Sequence, residues 1–588
     1  MAKKSDKPAK YYVLMTESGE KVKSSENVWQ EYPRPQLKRE NWLSLNGIWN
    51  LDGKSVRVPF PPESVLAEYT GEVKENMVYE KHFSWAEADA GKRTLLHFGA
   101  VDQIAEVYLN DAYLGTHEGG YLPFTYDITQ WFLPGQDNHL MVKVTDTLDK
   151  EFPYGKQRKD RGGMWYTPTS GIWQSVWFEQ VPDVYVERLK ITPDTKGVKI
   201  AFELKVKGES IKKLPVDKVI AVQLHDGQVY QVRTKDEEIY IDLTRVRNEN
   251  GEVYQPRLWT TEDPYLYQIQ IIVEEDVIET YAALRTISIE EKKGISRVCL
   301  NGKPIFMHGV LDQGYFSDGI FTPAEEMEYE RDVLRMKELG LNMIRKHIKI
   351  EPECFYYYCD KHGMLVMQDM VSNGYYDYYW DTIFPTIGFT KLKDRGKKMS
   401  ARQKRLFEEH MAETIEHLYN HPCVVAYTIF NEGWGQFDSD RIYQNAKAQD
   451  STRLYDATSG WFTRKLNDFD SVHIYFGRKK PIPKKRPMFL SEFGGYSYAV
   501  EEHVFNDAVY GYGACENKWA LFNRIYDRYA ELVFPYIKDG LCGSIYTQIS
   551  DVEDEINGFY TYDRKVCKVK KEDMLKISRK IQEELEKA

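Results

Sequence analysis

The chain has 588 residues, too many for one hydrophobic core, and its length predicts three or four domains. With 42% hydrophobic and 29% charged residues the composition is that of a globular protein, and the formal net charge of −11 argues against a nucleic-acid partner. No run of eighteen apolar residues occurs, which excludes a membrane-spanning helix and predicts no membrane partner. Seven cysteines, at 299, 354, 359, 423, 515, 542 and 567, form no CxxC pair and predict reduced thiols in a reducing compartment.

In chain order, residues 1–28 read as a polar lead-in. Its one apolar run, Tyr11–Met15, is shorter than a secretory signal needs, so a cytoplasmic location is expected. From 29 to 181 short strands alternate with turn residues (SVRVPF, TLLHFGAV, AEVYLND, HLMVKVTD, SVWFEQV), which predicts a β-sandwich or jelly roll. Residues 182–290 continue in strands (VERLKITP, KIAFELKV, KVIAVQLHD, QIQIIVEE), and about a hundred residues of such strands is the size of an immunoglobulin-like sandwich. Near Gly294 the period changes. Strand-like runs now alternate with helix-like ones at Ala324–Leu339, Ser400–Tyr419 and Lys518–Ile537. Eight candidate strands (IFMHGV, NMIRKHI, MLVMQDM, VVAYTIFNE, RLYDATSG, SVHIYF, MFLSEFGG, GSIYTQISD) predict a TIM (β/α)8 barrel over 291–588.

Two of these strands end in a glutamate followed by glycine: VVAYTIFNEG at Glu432 and MFLSEFGG at Glu492. A barrel collects its active site at the C-terminal ends of its strands, so strands four and seven would place both carboxylates on one rim. Paired carboxylates suit a retaining glycosidase, whose two groups face each other across ~5–5.5 Å. A loop carboxylate capping the next helix is the bland alternative for either residue alone. An aromatic content of 14%, with 42 Tyr and 13 Trp, suits stacking on pyranose faces and equally the packing of β-domains. Trp434 and Trp461, just past strands four and five, are candidates for sugar stacking or for loop core. The loop Tyr375-Tyr376-Asp377-Tyr378-Tyr379-Trp380 fits an aglycone wall or the subunit contact of a homo-oligomer. The basic KLKDRGKK stretch beyond it reads as solvated surface.

The segments AEVYLNDAYLGTHEGGYLPFTYDI, MWYTPTSGIWQSVWFE and LWTTEDPYLYQ resemble glycoside hydrolase family 2, which includes β-galactosidases, β-glucuronidases and β-mannosidases. The resemblance runs from Trp29 to Lys568 and implies an exo-acting β-glycosidase on small oligosaccharides or glycosides, most simply β-galactosidase-like. It implies Glu432 as general acid/base, Glu492 as nucleophile, and Asn431 as the partner of the substrate 2-hydroxyl. Arg345 corresponds to an arginine that supports the nucleophile and Tyr475 to a tyrosine that donates to it, with His473 on the same strand face. The family spaces Arg and His three apart. Here they are two apart, so His347 reads as a site residue or as a packed structural histidine.

Other positions depart from the family's galactosidases. Gly162-Gly163-Met164 replaces acidic residues before Trp165, and Leu311-Asp312-Gln313-Gly314 stands in place of an Asn-Arg-His-Glu run, which makes Asp312 and Gln313 sugar-contact candidates by position. The strand-three tip reads Gln368-Asp369-Met370 with no histidine beside it, so no metal and no cofactor is expected. The glucuronidase Asn-x-Lys motif ahead of TxDR is replaced by Glu555-Ile556-Asn557-Gly558 before Thr561, which lacks the lysine and points to a neutral sugar. A non-catalytic carbohydrate binder would typically have lost one glutamate, and both are present. A metal- or cofactor-dependent enzyme finds no HExxH, P-loop or GxGxxG.

Overall fold

The structure is a computed structural model that describes residues 11–588 apart from 24, 26, 87, 90, 212, 213, 248, 249, 387, 388, 390–393, 395–398, 478, 479, 483, 484 and 508. The start of the lead-in and nearly all of the KLKDRGKK stretch therefore lie outside the described residues.

Between Trp42 and Val181 the chain builds a four-stranded and a six-stranded antiparallel sheet, packed as a jelly-roll-like sandwich. The alternation in Gly47–Leu51 and Asn138–Thr145 turns one face inward. Trp49, Tyr79, Phe98, Val107, Leu140 and Phe178 meet in the core, each such burial contributing about 1.5–3 kcal/mol. Residues 184–282 form two four-stranded antiparallel sheets around Val186, Ile200, Ile220, Ile271 and Ile278, an immunoglobulin-like sandwich. A three-stranded antiparallel ribbon, Ile287–Pro304, follows. The edge expected at residue 290 falls inside this ribbon, which does not continue into the barrel sheet.

The barrel has eight strands: β1 (Met307–Asp312), β2 (Met343–Lys346), β3 (Leu365–Asp369), β4 (Val424–Asn431), β5 (Leu454–Ser459), β6 (Asp470–Ile474), β7 (Met488–Gly494) and β8 (Leu541–Thr547). Every ladder between them is parallel. Their residues are buried almost without exception, as apolar runs covered on both faces require. The longer helices of the barrel are α1 (Met327–Glu338), α2 (Glu353–His362), α3 (Ala401–His417), α4 (Ser439–Gln449), α5 (Lys518–Leu532) and α6 (Lys571–Lys587). They follow β1, β2, β3, β4, β7 and β8, and among the described residues no helix follows β5 or β6. Helix α3 starts on a capping box between Ser400 and Gln403, which satisfies two otherwise orphaned donors.

No ladder joins β5 to β6 among the described residues. Side chains and one backbone bond close that seam: Asp468 N donates to Tyr455 O at 3.1 Å, Tyr455 N to the Asp468 carboxylate at 2.8 Å, Ala457 N to Asn467 at 3.1 Å, and Ser471 Oγ to Asp456 at 2.9 Å. The middle sandwich grips the opposite end of the barrel. Arg285 donates to the carbonyls of Pro422 and Val424, each at 3.0 Å, and Tyr281 to Asp360 at 2.7 Å. Among the described residues no helix is long and apolar enough to cross a membrane.

The first sandwich reaches the barrel mouth. The amides of Tyr154 and Gly155 both donate to the Ser372 carbonyl past β3, at 3.1 and 3.2 Å, and Gly374 N donates to Lys150 O at 2.8 Å. Gly155 has φ +67° and a Cβ there would stand 2.9 Å from the Ile348 carbonyl, so only glycine allows this approach.

Candidate active site

β4 ends where Glu432 enters the left-handed region at φ +54°, a conformation that costs a non-glycine residue roughly 1–2 kcal/mol. Glu432 N donates to Ser459 O at 3.0 Å and Trp434 N to Asn431 O at 3.0 Å, which holds the turn. Gly433 follows at φ +75°, where a Cβ would strike the Phe462 ring at 2.5 Å. Across the rim β7 carries Glu492. Carboxylate oxygens of Glu432 and Glu492 and a ring nitrogen of His473 all lie within 4.8 Å of one another.

The two carboxylates have different surroundings. Glu492 receives Arg345 Nη1 at 3.0 Å and the Tyr475 hydroxyl, with His473 Nδ1 3.6 Å away. Burial alone would raise its carboxyl. The charges of His473 and Arg345, with smaller help from His347 and the Tyr475 hydroxyl, overcome that and hold it at about 2. Glu432 faces His473 Nδ1 at 2.8 Å and is the more open of the two, its side chain 13% exposed against 5%.

Arg345 organises the floor. Wholly buried on β2, it donates to Asp369 at 3.0 Å, Glu492 at 3.0 Å, the Ser491 carbonyl at 2.9 Å and Asn431 Oδ1 at 2.8 Å. The last bond fixes the Asn431 amide so that its NH2 is the free end. His347 takes the other oxygen of Asp369 at 2.7 Å, and burial leads the lowering of its imidazole. The two-residue spacing of Arg345 and His347 thus brings both onto one carboxylate. Tyr475, one residue past β6, also reaches Thr547 Oγ1 at 3.1 Å and stacks on Tyr512 with centroids 4.0 Å apart. His473 Nε2 lies 3.1 Å from Ser459 Oγ. Trp461 sits beside the pair, its indole donating to Glu432 O at 3.1 Å and its ring 5.4 Å from that of His473.

Three expected sugar contacts stand elsewhere. Asp312 pairs with Lys346 and accepts from Gly314 N at 2.8 Å, on the strand face opposite Arg345, because the register sets Asp312 beside Lys346 and Leu311 beside Arg345. Gln313 is buried with its Oε1 unpartnered and makes no described bond to the pair. Trp434 is 2% exposed and packs edge-to-face on Trp165, Tyr154 and Tyr376, its indole donating to Gly374 O at 3.1 Å. It is loop core, not an open stacking face. Of the aromatic loop, Tyr376 joins this core whereas Tyr375, Tyr378 and Tyr379 are exposed.

Asp369 was the residue to find in the sequence. It ends a buried strand in a carboxylate, the same signal as Glu432, but its histidine partner is not adjacent in sequence: His347 comes from the neighbouring strand. Glu555, which accepts from Tyr166 and from Asn557 Nδ2 at 2.9 Å, and Lys156, 5.4 Å from the Trp165 ring centroid, carried no local motif. Glu432, His473 and Glu492 are also disposed as three ligands around one point. The Glu432–His473 hydrogen bond and the Arg345 cation beside Glu492 meet the needs of these groups without an ion.

A (β/α)8 barrel with two glutamates on its rim, fronted by two β-sandwiches, defines the class of a multidomain glycoside hydrolase. The family comparison is specific. Residues 66–173 match the glycosyl hydrolase 2 galactose-binding domain-like family, 184–285 match glycosyl hydrolases family 2, and 290–494 match the family 2 TIM barrel domain. The chain belongs to glycoside hydrolase family 2.

Among its relatives, a β-galactosidase of Thermoanaerobacter pseudethanolicus is 24% identical over 449 residues, covering 72% of this chain and 54% of the relative. A β-glucuronidase of Bacteroides fragilis is 25% identical over 419 residues, covering 66% and 56%. The chain spans about half the length of these curated relatives. A solved β-D-glucuronidase from Dictyoglomus thermophilum superposes with a TM-score of 0.71 at 17% identity, over 94% of this chain and 98% of that one, and shows the shared fold.

Proposed function

We propose that the chain is a retaining, exo-acting β-glycosidase. The observation that carries this reading is the closeness of the Glu432 and Glu492 oxygens, within 4.8 Å, in unlike surroundings. Retaining enzymes hold the carboxyls ~5–5.5 Å apart, whereas an inverting enzyme needs ~6.5–9.5 Å to admit a water. Glu492, held ionised by Arg345, Tyr475 and His473, is the nucleophile that attacks the anomeric carbon. Glu432 protonates the leaving oxygen and then takes the proton of the water that releases the sugar. Asn431, its amide oriented by Arg345, offers its NH2 to the 2-hydroxyl. His473 and Arg345 position the pair, and Asp369 holds Arg345 and His347 in place. The sandwich segment pinned over the mouth beside β3 walls one side and favours attack at a chain end.

Relatives named as β-galactosidases and as β-glucuronidases stand side by side, so the galactose expected from the sequence gains no support from them. A 2-deoxy-2-fluoro aryl glycoside tests the chemistry. The trapped sugar is expected on the peptide carrying Glu492, and labelling of another carboxylate would overturn the assignment.

A further inference from the structure

We propose that Lys156, delivered to the barrel mouth by the first sandwich, reads an anionic group, a carboxylate or a sulfate ester, on the sugar held between Glu432 and Glu492. The proposal rests on the glycosidase reading and deepens it.

The backbone makes the placement definite. Tyr154 N and Gly155 N are both bonded to Ser372 O, and Gly155 lies against Ile348, the residue after His347. Lys156 is therefore the first side chain beyond a segment clamped between the ends of β2 and β3. It is half-buried, and its ammonium has no hydrogen bond or ion pair among the described residues. Its ammonium faces the Trp165 ring, 5.4 Å from the centroid, and that ring packs edge-on against Trp434, two residues past Glu432.

The charge of Lys156 is felt inside the site. Burial lowers the His347 imidazole, the bond to Asp369 opposes this, and the Lys156 ammonium adds to the lowering. Burial raises the Glu555 carboxyl, the bonds from Tyr166 and Asn557 oppose, Lys156 also opposes, and the charge of Glu492 adds to the rise. Lys156 thus lies within electrostatic reach of His347 and of Glu555, and Glu555 within that of Glu492. The Glu555 oxygens are taken by Tyr166 and Asn557, so this carboxylate leaves the ammonium's donors unspent. Of the other cations, Arg345 is committed to Asp369 and Glu492 and Arg161 to Glu553, while the Lys150 ammonium faces the rings of Tyr154 and Tyr375.

An anionic substrate entering a mouth that holds Glu432 and Glu492, with the Glu555 carboxylate behind them in electrostatic reach, needs an opposing cation. A half-buried ammonium whose three donors have no partner among the described residues supplies it. The lysine missing from the stretch before Thr561 had pointed to a neutral sugar. The fold brings a lysine to the mouth from another domain.

The test uses the full chain and six aryl glycosides: the β-galactoside, its uronic acid and its 6-sulfate, and the three glucose counterparts. One acidic member should exceed its neutral counterpart in kcat/KM by about tenfold or more, and the uronate and sulfate arms tell which group is read. Lys156→Met should cut that ratio by about tenfold, chiefly through KM, whereas Lys156→Arg should keep it within about threefold. Salt should erode the wild-type ratio and leave that of Lys156→Met flat. A neutral substrate preferred by the wild type, or a ratio unchanged in Lys156→Met, overturns the assignment while leaving the glycosidase reading intact. Cleavage of none of the six would sink both.

Discussion

Tyr475→Phe removes one hydroxyl from Glu492, the proposed nucleophile, and little else. That hydroxyl donates to Glu492 Oε2 and lies 3.1 Å from Thr547 Oγ1, while the ring stacks on Tyr512 at 4.0 Å, a contact phenylalanine keeps. A hydrogen bond to a charged group contributes about 1.5–3 kcal/mol, and 1.36 kcal/mol is one pKa unit, so the loss amounts to roughly one to two units. The Glu492 carboxyl, now held at about 2, should rise by that amount. The sign follows from the direction of the shift. A depressed carboxyl stays ionised, and competent to attack, at every pH above its folded value, so raising that value moves the acid limb of activity upward. The rate should fall only to the extent that the bond is stronger in the transition state than in the free enzyme, by about ten- to hundredfold if its whole strength is gained there. Measuring kcat/KM against pH on an aryl glycoside checks both, with the limbs assigned to the carboxylate pair rather than to one residue. An acid limb and a rate both unmoved by the substitution would refute the reasoning.

Glu432→Ala should spare the first step on substrates with activated leaving groups, which need no proton, seen as a burst of phenol before slow turnover. Glu492→Ala should abolish turnover of activated and unactivated substrates alike, measured in the same assay. Treatment with a chelator should leave kcat/KM unchanged; loss of activity restored by a divalent ion would make Glu432, His473 and Glu492 a metal site instead. Gly155→Ala places a methyl 2.9 Å from Ile348 O at φ +67° and should cost about 1–3 kcal/mol, read as a lowered denaturation midpoint.

The two glutamates were legible because each ends a buried strand, a signal local to a few residues. All eight barrel strands were legible for the same reason. Asp312 follows an inward Leu311 and so faces Lys346 rather than the sugar side. Trp434 could not be told from a stacking platform in sequence, since Trp165 and Tyr154 cover it from more than two hundred residues upstream. Lys156 was invisible for the same cause, being placed by backbone bonds to Ser372. Asp369 carried the strand-tip signal, but its role depends on Arg345 and His347 across a parallel ladder.

The central claim is a double displacement between Glu492 and Glu432, and proton NMR of the first-formed sugar tests it most directly. A β-linked aryl glycoside should release the β-anomer before mutarotation equilibrates the signals, because oxygens within 4.8 Å leave the second carboxylate to attack the sugar itself. First appearance of the α-anomer would contradict the account, since single inversion requires a water between the carboxylates.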